Sequence, residues 1–217
     1  VTYTGIDQDE IDAIESQGIS REAIRYRFGI STGVLVVSVG QFIERKGCWV
    51  VGAALKELAE QGVQFTFLWL STSEISEEIR SRVGNYGLGS SFQVLSPDDI
   101  GGSRMELLSI VRASDIFVMA SRKEGLPIAL TEAMALGAAC IATAVNAVPE
   151  AIENEVTGLL IKPDNANSLA KAIGLLIEEP DKALRLGSAA KTRALSHFNQ
   201  KSTAEWTVEL YKSVWKT

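Results

Sequence analysis

The sequence predicts an α/β fold: a doubly wound parallel sheet of about six strands flanked by helices. Two observations carry this. Strand-like and helix-like stretches alternate along the chain, and such alternation implies a parallel sheet with helices on both faces. The run Val34–Val39 (VLVVSV) is continuously apolar and β-branched but for one serine, the pattern of a strand buried on both faces. Right-handed crossovers then restrict the topology to a doubly wound, Rossmann-like sheet.

After that first strand, Gly47 to Gln61 has helical periodicity, and Gln64 to Leu70 (QFTFLWL) is a second strand. Ser76 to Val83 is a polar helix, Phe92 to Leu95 a short third strand, Arg104 to Ala113 a helix, and Asp115 to Met119 a fourth strand. Ile128 to Leu136 is helical, Ala139 to Ala142 a fifth strand and Thr157 to Ile161 a sixth. A helix spans Asn167 to Ile177. The chain from Asp181 onward is helical with a break near Asn199. There are no internal repeats or low-complexity tracts.

With 217 residues, 46% of them apolar, the chain has the size and core of one large domain. Its 27 acidic and 21 basic residues give a net charge of −6, which argues against sequence-independent nucleic-acid binding through phosphate neutralisation. Cys48 and Cys140 fit no metal-ligand spacing and read as two reduced thiols of a cytosolic protein. No apolar run reaches the roughly 18 residues of a transmembrane span, and the opening residues do not read as a signal peptide. The chain opens Val1-Thr2-Tyr3 without Met and is read as a fragment.

In a doubly wound sheet of order 3-2-1-4-5-6, ligands bind beyond the carboxyl ends of strands one and four. Two loops meet there. The first reads Gly40-Gln41-Phe42-Ile43-Glu44-Arg45-Lys46-Gly47. Gly40 lets the backbone turn sharply, Arg45 and Lys46 bring positive charge, and Gly47 opens a helix whose first amides are unpaired. Taken alone, the loop also reads as a basic, solvated turn. It is neither G-x-G-x-x-G nor a P-loop.

The second loop, Ala120 to Pro127, leads into a helix carrying Glu132. Pro127 suits a first helical turn. The amides of Gly125, Leu126, Ile128 and Ala129 crowd the positive end of that helix, where a phosphate is stabilised. Glu132 leans back towards the same end, and Glu124 stands just before it. Two carboxylates beside an anion site suit a ligand that also carries hydroxyls, since a carboxylate accepts two O–H donors. Phosphate plus vicinal hydroxyls describes a nucleotide sugar. A lone Glu132 would otherwise be an ordinary helix residue.

Glu124 and Glu132 lie within E-G-L-P-x-A-L-x-E-A-M-A-x-G, which resembles the E-x7-E motif of retaining family 4 (group 1) glycosyltransferases of GT-B fold. Five more blocks follow that family's order: Thr4-Gly5-Ile6-Asp7, Val39-Gly40 through Lys46-Gly47, Ala113 through Val118, Val148-Pro149-Glu150, and Val156-Thr157-Gly158-Leu159-Leu160. The resemblance covers nearly the whole chain. It implies the C-terminal, donor-binding half of the enzyme, with residues 1–198 as the nucleotide-sugar domain and 199–217 as a helix crossing to an N-terminal domain.

Carried over position by position, the resemblance assigns Lys46 and Glu124 to catalysis. Gly40, Gln41, Lys46, Val94, Leu95, Glu124, Gly125, Leu126, Pro127 and Glu132 are assigned to the donor. Lys46 and the Gly125 and Leu126 amides would face the diphosphate. Glu124 would meet the transferred sugar, Glu132 the ribose, and the Val94–Pro97 backbone the base. No metal and no cofactor beyond the donor are implied, and Asp98-Asp99 is not a D-x-D site. The acceptor, a sugar or lipid-linked glycan, would bind the N-terminal half. The location implied is cytoplasmic, with peripheral attachment to the membrane left open.

Three positions depart from the family. Gln41 replaces Arg, so Arg45 or Arg122 is the expected substitute. Ser71-Thr72-Ser73 replaces a Gly-rich turn, and Asn146-Ala147 a Gly-Gly pair. His197 reads as a surface or packing residue and Trp206, Tyr211 and Trp215 as packing residues, with part of the last helix's apolar face expected to be exposed in this fragment. A non-catalytic nucleotide-sugar-binding subunit working with a separate partner chain is the alternative. A dehydrogenase-type module is disfavoured by the absent G-x-G-x-x-G.

Overall fold

In the computed structural model, which describes residues 5–30 and 33–215, six parallel strands form one sheet in the order β3-β2-β1-β4-β5-β6. They are β1 (Val34–Val39), β2 (Phe65–Leu70), β3 (Phe92–Leu95), β4 (Ile116–Met119), β5 (Ala139–Thr143) and β6 (Leu159–Ile161). This is the doubly wound order, and its switch point falls between β1 and β4, where Val36 pairs with Ile116 and Val37 with Phe117.

Side-chain alternation divides the core. Leu35, Val37, Leu68, Leu70 and Phe117 belong to one apolar cluster. Val36, Phe67, Trp69, Ile116 and Val118 belong to the other. Every residue of β4 and β5 is buried, which is why these strands read as unbroken apolar runs rather than alternating ones. Fully burying each such Val, Ile or Leu contributes about 1.5–3 kcal/mol.

One face carries α1 (Gln8–Gln17), α2 (Arg21–Arg27), α6 (Arg104–Ala113), α7 (Ile128–Ala135) and α10 (Pro180–His197). The other carries α3 (Cys48–Glu60) and α9 (Ala166–Glu178), with α4 (Glu77–Gly84) beside β3. Two single turns, α5 (Pro97–Ile100) and α8 (Val148–Ala151), follow β3 and β5. The α1 and α2 helices were not anticipated. Each buries so few residues (Ile11 and Ile14, then Ile24) that apolar periodicity is weak, and their capping residues Asp7 and Ser20 are the clearest signals.

The break at Asn199 is real, and α11 (Gln200–Trp215) follows it. Ile6 forms a bridge with Asn199, and a Cβ on Gly5 would meet the Gln200 Cα at 2.4 Å, so the chain's entry is packed against this break. Thr4, which opens the first family-like block, lies outside the described residues. None of the described residues of α11 is buried. Trp206, Tyr211 and Trp215 are exposed rather than buried in packing, in line with the expected exposure of part of this helix's apolar face. His197 is exposed and its Nδ1 pairs with the Ser196 hydroxyl at 2.7 Å.

Candidate functional site

The two switch loops are locked together. Phe42 is buried, edge-on to both Trp49 and Trp69, and the Trp69 indole donates to the Gly40 carbonyl at 2.8 Å. This anchors the first loop at the end of β1. The Arg122 amide donates to the Arg45 carbonyl at 2.9 Å, joining the loops by a backbone hydrogen bond. Gly47 sits against Ala120 with φ 76°, where an added Cβ would stand 2.1 Å from the Ala120 oxygen. Gly47 is therefore a left-handed turn ahead of α3 rather than its first helical residue, a correction of one position with a steric reason.

The locking brings Lys46 to Glu124. The Lys46 ammonium lies 2.6 Å from Glu124 Oε1, and both side chains are largely buried (20% and 8% exposed). The lysine stem lies over Gly40, whose φ of 140° requires glycine. Glu124 is held from two further directions. The Ser121 hydroxyl donates to Oε1 at 2.6 Å, and Thr143 fixes Ser121 by donating to its carbonyl at 2.5 Å. The Glu124 amide donates to Asn146 Oδ1 at 3.3 Å. Asn146 itself takes φ 44°, a left-handed conformation asparagine tolerates, whereas Ala147 has φ −85°. The Asn-Ala pair thus preserves a turn in which glycine is expected.

Beyond Glu124, the Gly125 and Leu126 amides have no hydrogen-bond partner among the described residues. Pro127 is the N-cap of α7, with extended ψ of 118°, and not part of its first turn. Ordinary capping bonds begin at Leu130, whose amide donates to the Pro127 carbonyl. A donor-rich backbone segment thus stands beside the lysine.

Glu132 is 5% exposed on α7. Its Oε1 accepts from Arg104 Nη2 at 2.5 Å, and Arg104 also holds Glu10 through Nε at 2.6 Å and Nη2 at 2.7 Å. Burial pushes the Glu132 carboxyl above the usual range, and Arg104 opposes that. Sequence reasoning missed Arg104, which is unremarkable in the first turn of α6. Arg104 also lines a cleft with Ser71, Thr72, Pro97, Ser103 and Leu107 beyond β2 and β3. There the Ser71 hydroxyl donates to the Ser73 carbonyl at 2.6 Å, closing the Gly-free turn after β2.

Other expected residues are placed differently. Val94 and Leu95 end β3 as buried residues, and neither lines this cleft. The polar backbone groups that follow are committed: the Leu95 carbonyl to Ser71, the Ser96 amide to Asp99 Oδ2. Gln41 is exposed in the first loop. Its expected substitutes bond elsewhere: Arg122 to Glu44 and Asp164, Arg45 to the Lys123 carbonyl. Neither is bonded to the Lys46–Glu124 pair. Among the described residues no three His, Cys, Asp or Glu side chains cluster as a metal site, and no helix is long and apolar enough to cross a membrane.

A family model described as glycosyl transferases group 1 matches residues 20–193. Alpha-maltose-1-phosphate synthase of Mycolicibacterium smegmatis is 27% identical over 233 residues, covering 98% of this chain and 59% of that protein. A solved C-terminal domain of a group 1 family protein from Francisella tularensis covers 90% of this chain and 100% of its own, with TM-score 0.70 and 21% identity. The Anabaena protein Alr3699/HepE, solved in complex with UDP-glucose, superposes with TM-score 0.80 at 22% identity, over 98% of this chain and 57% of that one. The fold is thus that of the C-terminal half of a GT-B protein. The chain spans about half the length of the curated relatives it matches.

Proposed function

The chain belongs to the group 1 glycosyl transferases, and from that premise we propose that it binds a nucleoside-diphosphate sugar for retaining, metal-independent transfer. The acceptor, a sugar or lipid-linked glycan, is held by residues outside this chain. The observation that carries the reading is the Lys46–Glu124 pair at the switch point, followed in the chain by the Gly125 and Leu126 amides, which have no hydrogen-bond partner among the described residues. A diphosphate there meets one ammonium and unpaired N–H donors. Lys46 has three donors, so it can hold phosphate oxygen without leaving Glu124.

As the bond to the sugar breaks, charge grows on the leaving diphosphate. In this reading Lys46 and the loop amides stabilise it, the role a metal has elsewhere. Glu124 remains an acceptor for sugar hydroxyls or for the reacting centre, and Glu132 accepts from the ribose. The UDP-glucose complex of the Anabaena neighbour supports a donor of this class. A cytoplasmic location follows from the same reading, because such donors are cytoplasmic metabolites.

A melting assay tests this. Ligand at about 100 times its Kd adds roughly 2.7 kcal/mol to the native state, or about 5–11 °C in a chain of this size. At least one nucleoside-diphosphate sugar raises Tm, and EDTA leaves the rise unchanged. A rise that needs magnesium, or none with any donor, defeats the proposal. Robust transfer by the isolated chain to an added acceptor would defeat its half-site form, since catalysis needs both substrates held together.

A further inference from the structure

We propose that Arg104 is a positioning residue that orients the Glu132 carboxylate and keeps it an acceptor for ribose hydroxyls. The inference rests on the donor-site reading above and extends it to a residue that contacts the site through Glu132.

The geometry has three parts. Glu132 is nearly enclosed, with its side chain 7% exposed. A buried carboxylate without a partner takes up a proton rather than remain charged. The charged groups acting on Glu132, among the described residues, are Arg104 from α6, which favours the ionised form, and Glu10 from α1, which opposes it. The basic residues of α10, which also packs on α7, are engaged elsewhere: Lys182 with Glu155, Arg185 with the Glu155 carbonyl, Lys191 with Glu15, Arg193 with the Ala151 and Glu150 carbonyls, and His197 with Ser196. The strands β4 and β5 carry no charged residue. Arg104 is therefore the cation that opposes the burial of Glu132.

The guanidinium is itself pre-set. Glu10 grips its Nε and Nη2 with two oxygens, a fork that fixes the plane. The second Nη2 hydrogen then points at Glu132 Oε1, which leaves Oε2 and the remaining Oε1 lone pair for ligand hydroxyls. A protonated carboxyl would lose that double-acceptor character. A neutral side chain at position 104 thus turns binding pH-dependent: weak where Glu132 is protonated, recovering as pH rises through its raised value. A residue that merely supports the fold gives the same loss at every pH.

The test is titration calorimetry with UDP, ADP and GDP from pH 6 to 9, read as the Kd ratio of variant to parent so that phosphate titration cancels. The variants are R104Q, which keeps a hydrogen-bond donor and protects the fold, R104K, E132Q and the double variant R104Q/E132Q. For R104Q the expected ratio reaches roughly tenfold where Glu132 is protonated and falls as pH rises, while R104K stays near the parent. E132Q binds weakly at all pH, and adding R104Q to it costs nothing more. A pH-independent ratio, an additive loss in the double variant, or R104K behaving as R104Q overturns the proposal. If no diphosphate binds the parent, or E132Q binds like the parent, the donor-site reading itself fails and Arg104 falls with it.

Discussion

Replacing Gly47 with alanine probes the contact that joins the two switch loops, and the chain supplies its own control. Gly47 and Gly62 have nearly the same backbone, φ 76° and 79°. A left-handed alanine costs about 1–2 kcal/mol, offset by about 0.4–1 kcal/mol from a stiffer unfolded chain. Both substitutions carry that sum. They differ in surroundings. An added Cβ at Gly62 meets nothing within 4 Å, whereas at Gly47 it meets the Ala120 oxygen at 2.1 Å and its carbonyl carbon at 2.8 Å. Both are backbone atoms at the end of a buried strand, so neither moves freely. Forcing atoms into such a space costs about 1–3 kcal/mol more. At about 2–4 °C per kcal/mol, Gly47→Ala melts roughly 2–12 °C below Gly62→Ala. Nucleotide-sugar stabilisation should be weakened only in Gly47→Ala, because Lys46 precedes the displaced residue. Equal melting points for the two variants would show that the loops do not meet as described.

Three further outcomes are expected. Glu132→Gln weakens a plain nucleoside diphosphate and its sugar conjugate alike, whereas Glu124→Gln weakens only the conjugate, each by about 0.5–3 kcal/mol; equal losses of plain diphosphate by calorimetry refute this division. Burial pushes the Cys48 thiol up to about 11 and that of fully buried Cys140 higher still, so both stay protonated and unreactive to a thiol reagent at pH 8 until denaturant is added; prompt native-state labelling contradicts it. Asp99 is held below the usual carboxylate range, first by the Ser96 amide and then by the Ser96 hydroxyl. A depressed carboxyl stabilises above its unfolded value and loses this as pH falls through the folded one; because Asp99 is substantially exposed, Asp99→Asn should cost less than about 1 kcal/mol at pH 7 and nothing in strong acid, as urea titrations would show.

Much of the sheet was legible because burial on both faces writes itself into composition. The observed β1 has the same bounds as the VLVVSV run, and β3 the same as its expected strand, while β2 and β4 each begin one residue later. Right-handed crossovers restricted the topology to a doubly wound sheet, and the common order of such sheets, 3-2-1-4-5-6, is the one observed. The first two helices were not legible, since α1 buries only Ile11 and Ile14 and α2 only Ile24. At the site, the sequence identified Lys46, Glu124 and Glu132 as chemistry-bearing residues, and the structure brings Lys46 and Glu124 into contact. It could not show that Arg45 and Arg122 bond elsewhere, because each partner is set by where another loop ends.

What the sequence by itself determined was periodicity and punctuation: which stretches are strands, which glycines end them, and hence where the crevice lies. These are local properties, written within a few residues. Only the tertiary structure decided the electrostatic partners. Arg104 finds Glu10 at a separation of 94 residues and Glu132 at 28, and Lys46 finds Glu124 at 78. Charge acts through space, and its strength depends on the burial that folding creates. A carboxylate such as Glu132 therefore has no defined character until α1, α6 and α7 have packed around it.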